Sequence, residues 1–94
     1  MKAPRPLSEG EVDQALATSS FVRQGDQLEL IRVFPSFPEA LGFVTAVGAL
    51  AEAQNHHPDI DVRWTTVSLR VTTHQINGLS ERDLALARAV DALG

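Results

Sequence analysis

Three serines, Ser8, Ser36 and Ser80, each stand three residues before an acidic residue, Glu11, Glu39 and Asp83 respectively, and each pair opens an apolar-periodic stretch. A serine hydroxyl so placed accepts a hydrogen bond from the third helical N–H, and the acidic side chain reaches back to the serine N–H. The spacing therefore predicts three helix starts. In the first helix Leu7 can staple onto Val12, and Val12, Ala15 and Leu16 form a short apolar face. The second carries a wide stripe of Leu41, Val44, Val47 and Ala51 with Phe37, Phe43 and Leu50, and is predicted to stop near His57 because Pro58 lacks an N–H and disfavours helix before it. In the third, Leu79 is placed to staple onto Leu84, Leu86, Val90 and Leu93 share a face, and the helix is predicted to reach the C-terminus.

Two strand pairs fit between these starts. Phe21 to Arg23 and Leu28 to Phe34 flank the turn sequence Gln24-Gly25-Asp26-Gln27. Ile60 to Trp64 and Val67 to Thr73 make the second pair, with Val67, Leu69 and Val71 alternating with Ser68, Arg70 and Thr72, as a strand with one buried and one polar face requires. The predicted order is α-β-β-α-β-β-α in a single domain over residues 1–94, with residues 1–6 a flexible tail.

At 94 residues the chain buries a smaller share of its surface than a larger domain, so self-association is the expected way to extend its core. Twelve acidic residues against eight basic give a formal charge of -4, and the arginines are scattered, which argues against direct nucleic-acid binding. With no cysteine, disulfide and thiolate chemistry are excluded. No stretch approaches the length of a membrane span, and a cytoplasmic location is the default expectation.

All three histidines, His56, His57 and His74, fall at predicted element ends. Imidazole moves protons near neutral pH, and an element end leaves it accessible, so the three suggest an acid-base site. Plainer roles exist for each: His56 and His57 suit a helix C-terminus, His74 suits an exposed strand end, and Asp83 suits a helix cap. A zinc centre is disfavoured because adjacent histidines on a helix point about 100° apart.

The complete pattern narrows the choice. Glu52, three residues, His56-His57-Pro58, five residues, Trp64, nine residues, His74, eight residues and Asp83 form one ungapped run that continues through Gly78-Leu79-Ser80-Glu81-Arg82-Asp83. This run resembles the signature of the pterin-4a-carbinolamine dehydratase family, and Phe37, Glu39, Ala40 and Phe43 are similar to its preceding helix. The resemblance implies an α+β fold, a four-stranded antiparallel sheet with helices on one face. It implies a homodimer or homotetramer, and dehydration of 4a-hydroxytetrahydropterin to quinonoid dihydropterin in tetrahydrobiopterin recycling, without metal or coenzyme.

By the same resemblance His56 and His74 are the acids for the two faces of C4a, and His57 holds the pterin and shares in proton transfer. Glu52, Trp64, Asp83 and Pro58 are supporting or substrate-contacting positions. Glu52, four residues before His56, is expected to orient that ring, and Asp83 to cap its helix while supporting His74. Trp64 reads equally as a packing residue. Because His56 and His74 sit at element ends, their removal is expected to spare the fold. Relatives commonly have Trp where this chain has Phe21, and a basic and aromatic pair where it has Leu30 and Arg32, so the wall around the site is expected to differ.

Two other functions compete. Animal members of the resembled family act as dimerisation cofactors for a homeodomain transcription factor, and some relatives look like Rubisco assembly factors, so a purely protein-binding role is one alternative. A metal-binding module is the other.

Overall fold

The computed structural model describes residues 3–94. Its elements run α1 (Glu9–Leu16), β1 (Val22–Gln24), β2 (Gln27–Val33), α2 (Phe37–Gln54), β3 (Asp59–Arg63), β4 (Thr66–Val71), a 3-10 turn (His74–Ile76) and α3 (Glu81–Asp91). The class is α+β, and the sheet is fully antiparallel in the order β1-β2-β4-β3.

All three serines cap their helices. Ser8 with Glu11 and Ser80 with Asp83 form complete capping boxes. Ser36 accepts from the Glu39 N–H, but its own hydroxyl donates to the Glu39 carboxylate, so that box is not reciprocal. The first hairpin closes on Gly25-Asp26, with Gly25 at φ 61, a left-handed conformation that glycine adopts without a Cβ penalty.

Alternation sets the inner face of the sheet. Leu28, Leu30, Val67, Leu69 and Val71 are buried against Val12, Phe43, Val47, Leu84, Leu86 and Val90 from the three helices. On α2 the buried residues are Ala40, Phe43, Val47 and Ala51, a seam at helical spacing. Phe37 and Leu41, expected in the core stripe, lie outside that seam and are exposed. Leu93 is exposed too, because α3 ends at Asp91 before its last turn reaches Leu93. The outer face carries the cross-strand pair Glu29 and Arg70 but also Ile31 and Val33, 60% and 68% exposed. It is therefore more apolar than the alternation predicts.

Of the six residues expected to form a tail, Met1 and Lys2 lie outside the described residues, and Arg5 grips Glu11 through contacts of 3.2 and 2.8 Å. The Arg5 guanidinium, followed by the Ser8 N–H, holds the Glu11 carboxyl down at about 2. A carboxyl lowered in the folded state contributes stability above the ordinary carboxylate range and loses it as pH falls toward that lowered value. Glu11→Gln is therefore expected to flatten the fall in melting temperature between about pH 5 and pH 2, an effect kept small by exposure and salt. Identical pH dependences for variant and wild type would refute that role.

Candidate active site

The segment leaving α2 positions the first two histidines. Asn55 sits in the left-handed region at φ 50 and its N–H bonds to the Ala51 and Glu52 carbonyls, while the His56 N–H bonds back to Ala51 at 3.1 Å. This is a Schellman ending, for which asparagine is a usual substitute for glycine. The helix therefore stops at Gln54, three residues before the position expected from Pro58. Asn55 rather than Pro58 is the terminating residue.

That reversal changes which acid meets which histidine. Glu52 and His56 no longer share a helical face, since His56 lies beyond the helix. The chain turns His56 inward, where its Nε2 meets the Asp83 Oδ1 at 2.6 Å, and leaves the exposed His57 to fold back so that its Nε2 meets the Glu52 Oε1 at 2.6 Å. Glu52 thus orients His57 rather than His56, and Asp83 supports His56 rather than His74.

Asp83 is fully buried and is the hub of the site. Its Oδ2 accepts from the Thr73 hydroxyl at 2.7 Å and from the Ser80 N–H at 2.9 Å, and Thr73 and Ser80 are joined by a hydroxyl contact of 2.7 Å. The cap of α3 and the support of a histidine are therefore one side chain acting through two oxygens. Thr73 was not singled out by the sequence signature, yet a signal for it exists. It continues the inward series Val67, Leu69, Val71, so a hydroxyl there must find a buried partner.

His74 opens the 3-10 turn, exposed and without a side-chain hydrogen bond among the described residues. The loop closes through the bridge between Thr73 and Gly78, with Asn77 left-handed at φ 48. Because Asp59 pairs with Arg70, the start of β3 lies beside the end of β4. His56, His57 and His74 thus gather at one end of that hairpin, and Pro58 links His57 to β3.

Trp64 does not join them. It lies in the β3–β4 turn at the opposite end of the hairpin, roughly 20 Å away at about 3.3 Å per strand residue. It is 78% exposed and sits at φ 52, which overturns the packing role and leaves no contact with the histidines within one chain. Phe21 and Leu30 are buried in the core, and the Arg32 guanidinium lies over the Phe34 and Phe43 rings at 5.1 and 5.3 Å. Leu30 and Arg32 line a cavity of about 370 Å³ with Val90 and Asp91, and no histidine is among its lining residues. Among the described residues no three His, Cys, Asp or Glu side chains converge as a metal set; the acids are divided between two histidine pairs.

The family described as pterin 4 alpha carbinolamine dehydratase matches residues 5–93. Proteins named "Putative pterin-4-alpha-carbinolamine dehydratase" are similar to the chain, that of Roseiflexus sp. (strain RS-1) at 43% identity over 93% of this chain and 95% of its own length. The one from Thermomicrobium roseum is 51% identical over 76% of each chain. Among solved structures, a transcriptional coactivator/pterin dehydratase from Brucella melitensis superposes with a TM-score of 0.89 at 27% identity, covering 95% of this chain and 98% of its own. A pterin dehydratase-like protein identified as a RuBisCO assembly factor in the alpha-carboxysome gives a TM-score of 0.65 at 25% identity, covering 84% and 92%.

Proposed function

Given that the chain belongs to the pterin-4a-carbinolamine dehydratase family, we propose that it dehydrates 4a-hydroxytetrahydropterin to quinonoid dihydropterin by histidine acid-base catalysis. The observation that carries this reading is His56, held at 2.6 Å by a fully buried carboxylate, at the same hairpin end as the exposed His57 and His74. In the elimination the C4a–O bond breaks, and the departing hydroxyl takes a proton from an imidazolium and leaves as water. The N5–H bond gives its electron pair to a new C4a=N5 bond, and its proton passes to a base. His56 and His74 supply the acid on the two faces of C4a; His57, steadied by Glu52, binds the pterin and shares in proton transfer. This chemistry serves tetrahydrobiopterin recycling in the cytoplasm.

The test is stopped-flow observation of 4a-hydroxytetrahydropterin decay with and without the protein. Acceleration over the spontaneous rate is expected. A folded protein that leaves the rate unchanged would contradict the proposal and favour a binding role, the second reading suggested by the exposed Phe37 and Leu41 on α2 and by the relatives named as coactivator and assembly factor.

The proposal includes a homodimer or homotetramer. Ile31, Val33, Phe37 and Leu41 are apolar side chains that a second copy would cover. The melting temperature is expected to rise with protein concentration, because only the folded chain associates. A concentration-independent value and a monomeric mass in sedimentation would refute it.

A further inference from the structure

With Asp83 as the carboxylate, the hydrogen bonds around it leave one consistent arrangement of protons. Thr73, 2% exposed, has a single hydroxyl hydrogen, which it donates to the Asp83 Oδ2. In the 2.7 Å contact between Thr73 and Ser80, the donor is then Ser80, whose oxygen in turn accepts from the Arg82 N–H at 3.2 Å. The order runs from the Ser80 hydroxyl to the Thr73 hydroxyl to the Asp83 Oδ2, where the Ser80 N–H also arrives. Oδ2 therefore receives two donors, and the carboxylate faces His56 through Oδ1 as an acceptor.

His56 must then carry its hydrogen on Nε2. Its Nδ1 has no side-chain or backbone partner among the described residues. No buried side-chain nitrogen or oxygen among them lacks a partner, so Nδ1, being unpartnered, is reached by solvent. One ring nitrogen is thus anchored inside the protein and the other is presented outward.

Resting on the acid-base reading above, we infer that the Ser80–Thr73–Asp83 chain fixes His56 as its Nε2–H tautomer, so that His56 exchanges its proton with substrate through Nδ1, and that Thr73 is a positioning residue of the reaction. Thr73 touches no substrate; its hydroxyl occupies Oδ2 and leaves Oδ1 for the imidazole. When His56 acts as an acid the proton leaves from Nδ1, and the Nε2–H bond to Asp83 persists through the step. Partners that orient a metal-binding histidine are worth about 10- to 100-fold, and the same scale is expected here for a histidine oriented for proton transfer.

The decisive experiment is two-dimensional ¹H–¹⁵N correlation spectroscopy of the full chain labelled at histidine, recorded where the imidazoles are neutral, for wild type, Thr73→Val and Thr73→Ser. In wild type His56 is expected to show a protonated Nε2 and an unprotonated Nδ1. Thr73→Val, which keeps the side-chain shape, is expected to give a tautomer mixture and a dehydration kcat lower by about 10- to 100-fold with little change in KM, and Thr73→Ser to restore both. A protonated Nδ1 in wild type would overturn the tautomer assignment. An unchanged tautomer and kcat in Thr73→Val would overturn the role of Thr73. If Thr73→Val does not fold, the wild-type spectrum still decides the nitrogen, and Thr73→Ser must keep wild-type tautomer and kcat. A wild-type Nε2–H tautomer without any acceleration of dehydration would refute the dehydratase reading and, with it, proton exchange through Nδ1, leaving only the hydrogen-bond assignment.

Discussion

Replacing Asp83 by alanine is expected to destabilise the fold by about 3–5 kcal/mol, since each buried donor left without its acceptor costs about 1–3 kcal/mol. The substitution strands three buried donors at once: the His56 Nε2–H, the Thr73 hydroxyl and the Ser80 N–H. It also removes the reciprocal half of the α3 cap. A domain of this size has only about 5–15 kcal/mol in total, so the loss is a large fraction of the whole. Each kcal/mol lowers the melting temperature of such a domain by about 4–8 °C, so a fall of roughly 12–40 °C is expected in circular-dichroism melts at matched protein concentration. A fall of only a few degrees would mean that the buried hub is not the link between α3, β4 and the end of α2.

His56→Ala and His74→Ala are each expected to lower the turnover number by about 10²- to 10⁴-fold for the C4a epimer whose hydroxyl that imidazole protonates, the usual contribution of a positioned general acid or base. Their effects on stability should separate them. His74 is exposed and makes no side-chain hydrogen bond among the described residues, so its loss is expected to change stability by no more than about 0.5 kcal/mol. His56 is buried against Asp83, and its loss leaves Oδ1 unpaired at about 1–3 kcal/mol. For His74 the fold is expected to be spared outright, and for His56 to be kept at reduced stability. Calorimetry beside steady-state kinetics checks both halves, and equal stability costs would contradict the placement of the two rings.

Much of the fold was legible because its signals are local. Ser8, Ser36 and Ser80 announce helix starts through chemistry confined to four residues, Gly25 marks the first hairpin, and the alternation from Val67 to Val71 names the buried face of β4. The histidines were equally legible as a set, but their partners were not. Which acid meets which imidazole depends on a single left-handed residue, Asn55, that ends α2 early and turns His56 toward a carboxylate 27 positions along the chain. Helical spacing from Glu52 says nothing about a residue beyond the helix. Trp64 was misplaced for a related reason: its spacing from the histidines is fixed along the chain, but a hairpin carries it to the far end of the sheet. Thr73 was hidden because its role arises only where the end of β4 meets the cap of α3.

The most direct test of the central claim is the stopped-flow rate of 4a-hydroxytetrahydropterin dehydration across about pH 5 to 9 for wild type and the His56→Ala/His74→Ala double variant. Wild type should accelerate the reaction with a rate that varies over the range in which imidazole exchanges its proton, and the folded double variant should fall to the spontaneous rate throughout. Acceleration that survives in the double variant would contradict catalysis by these histidines.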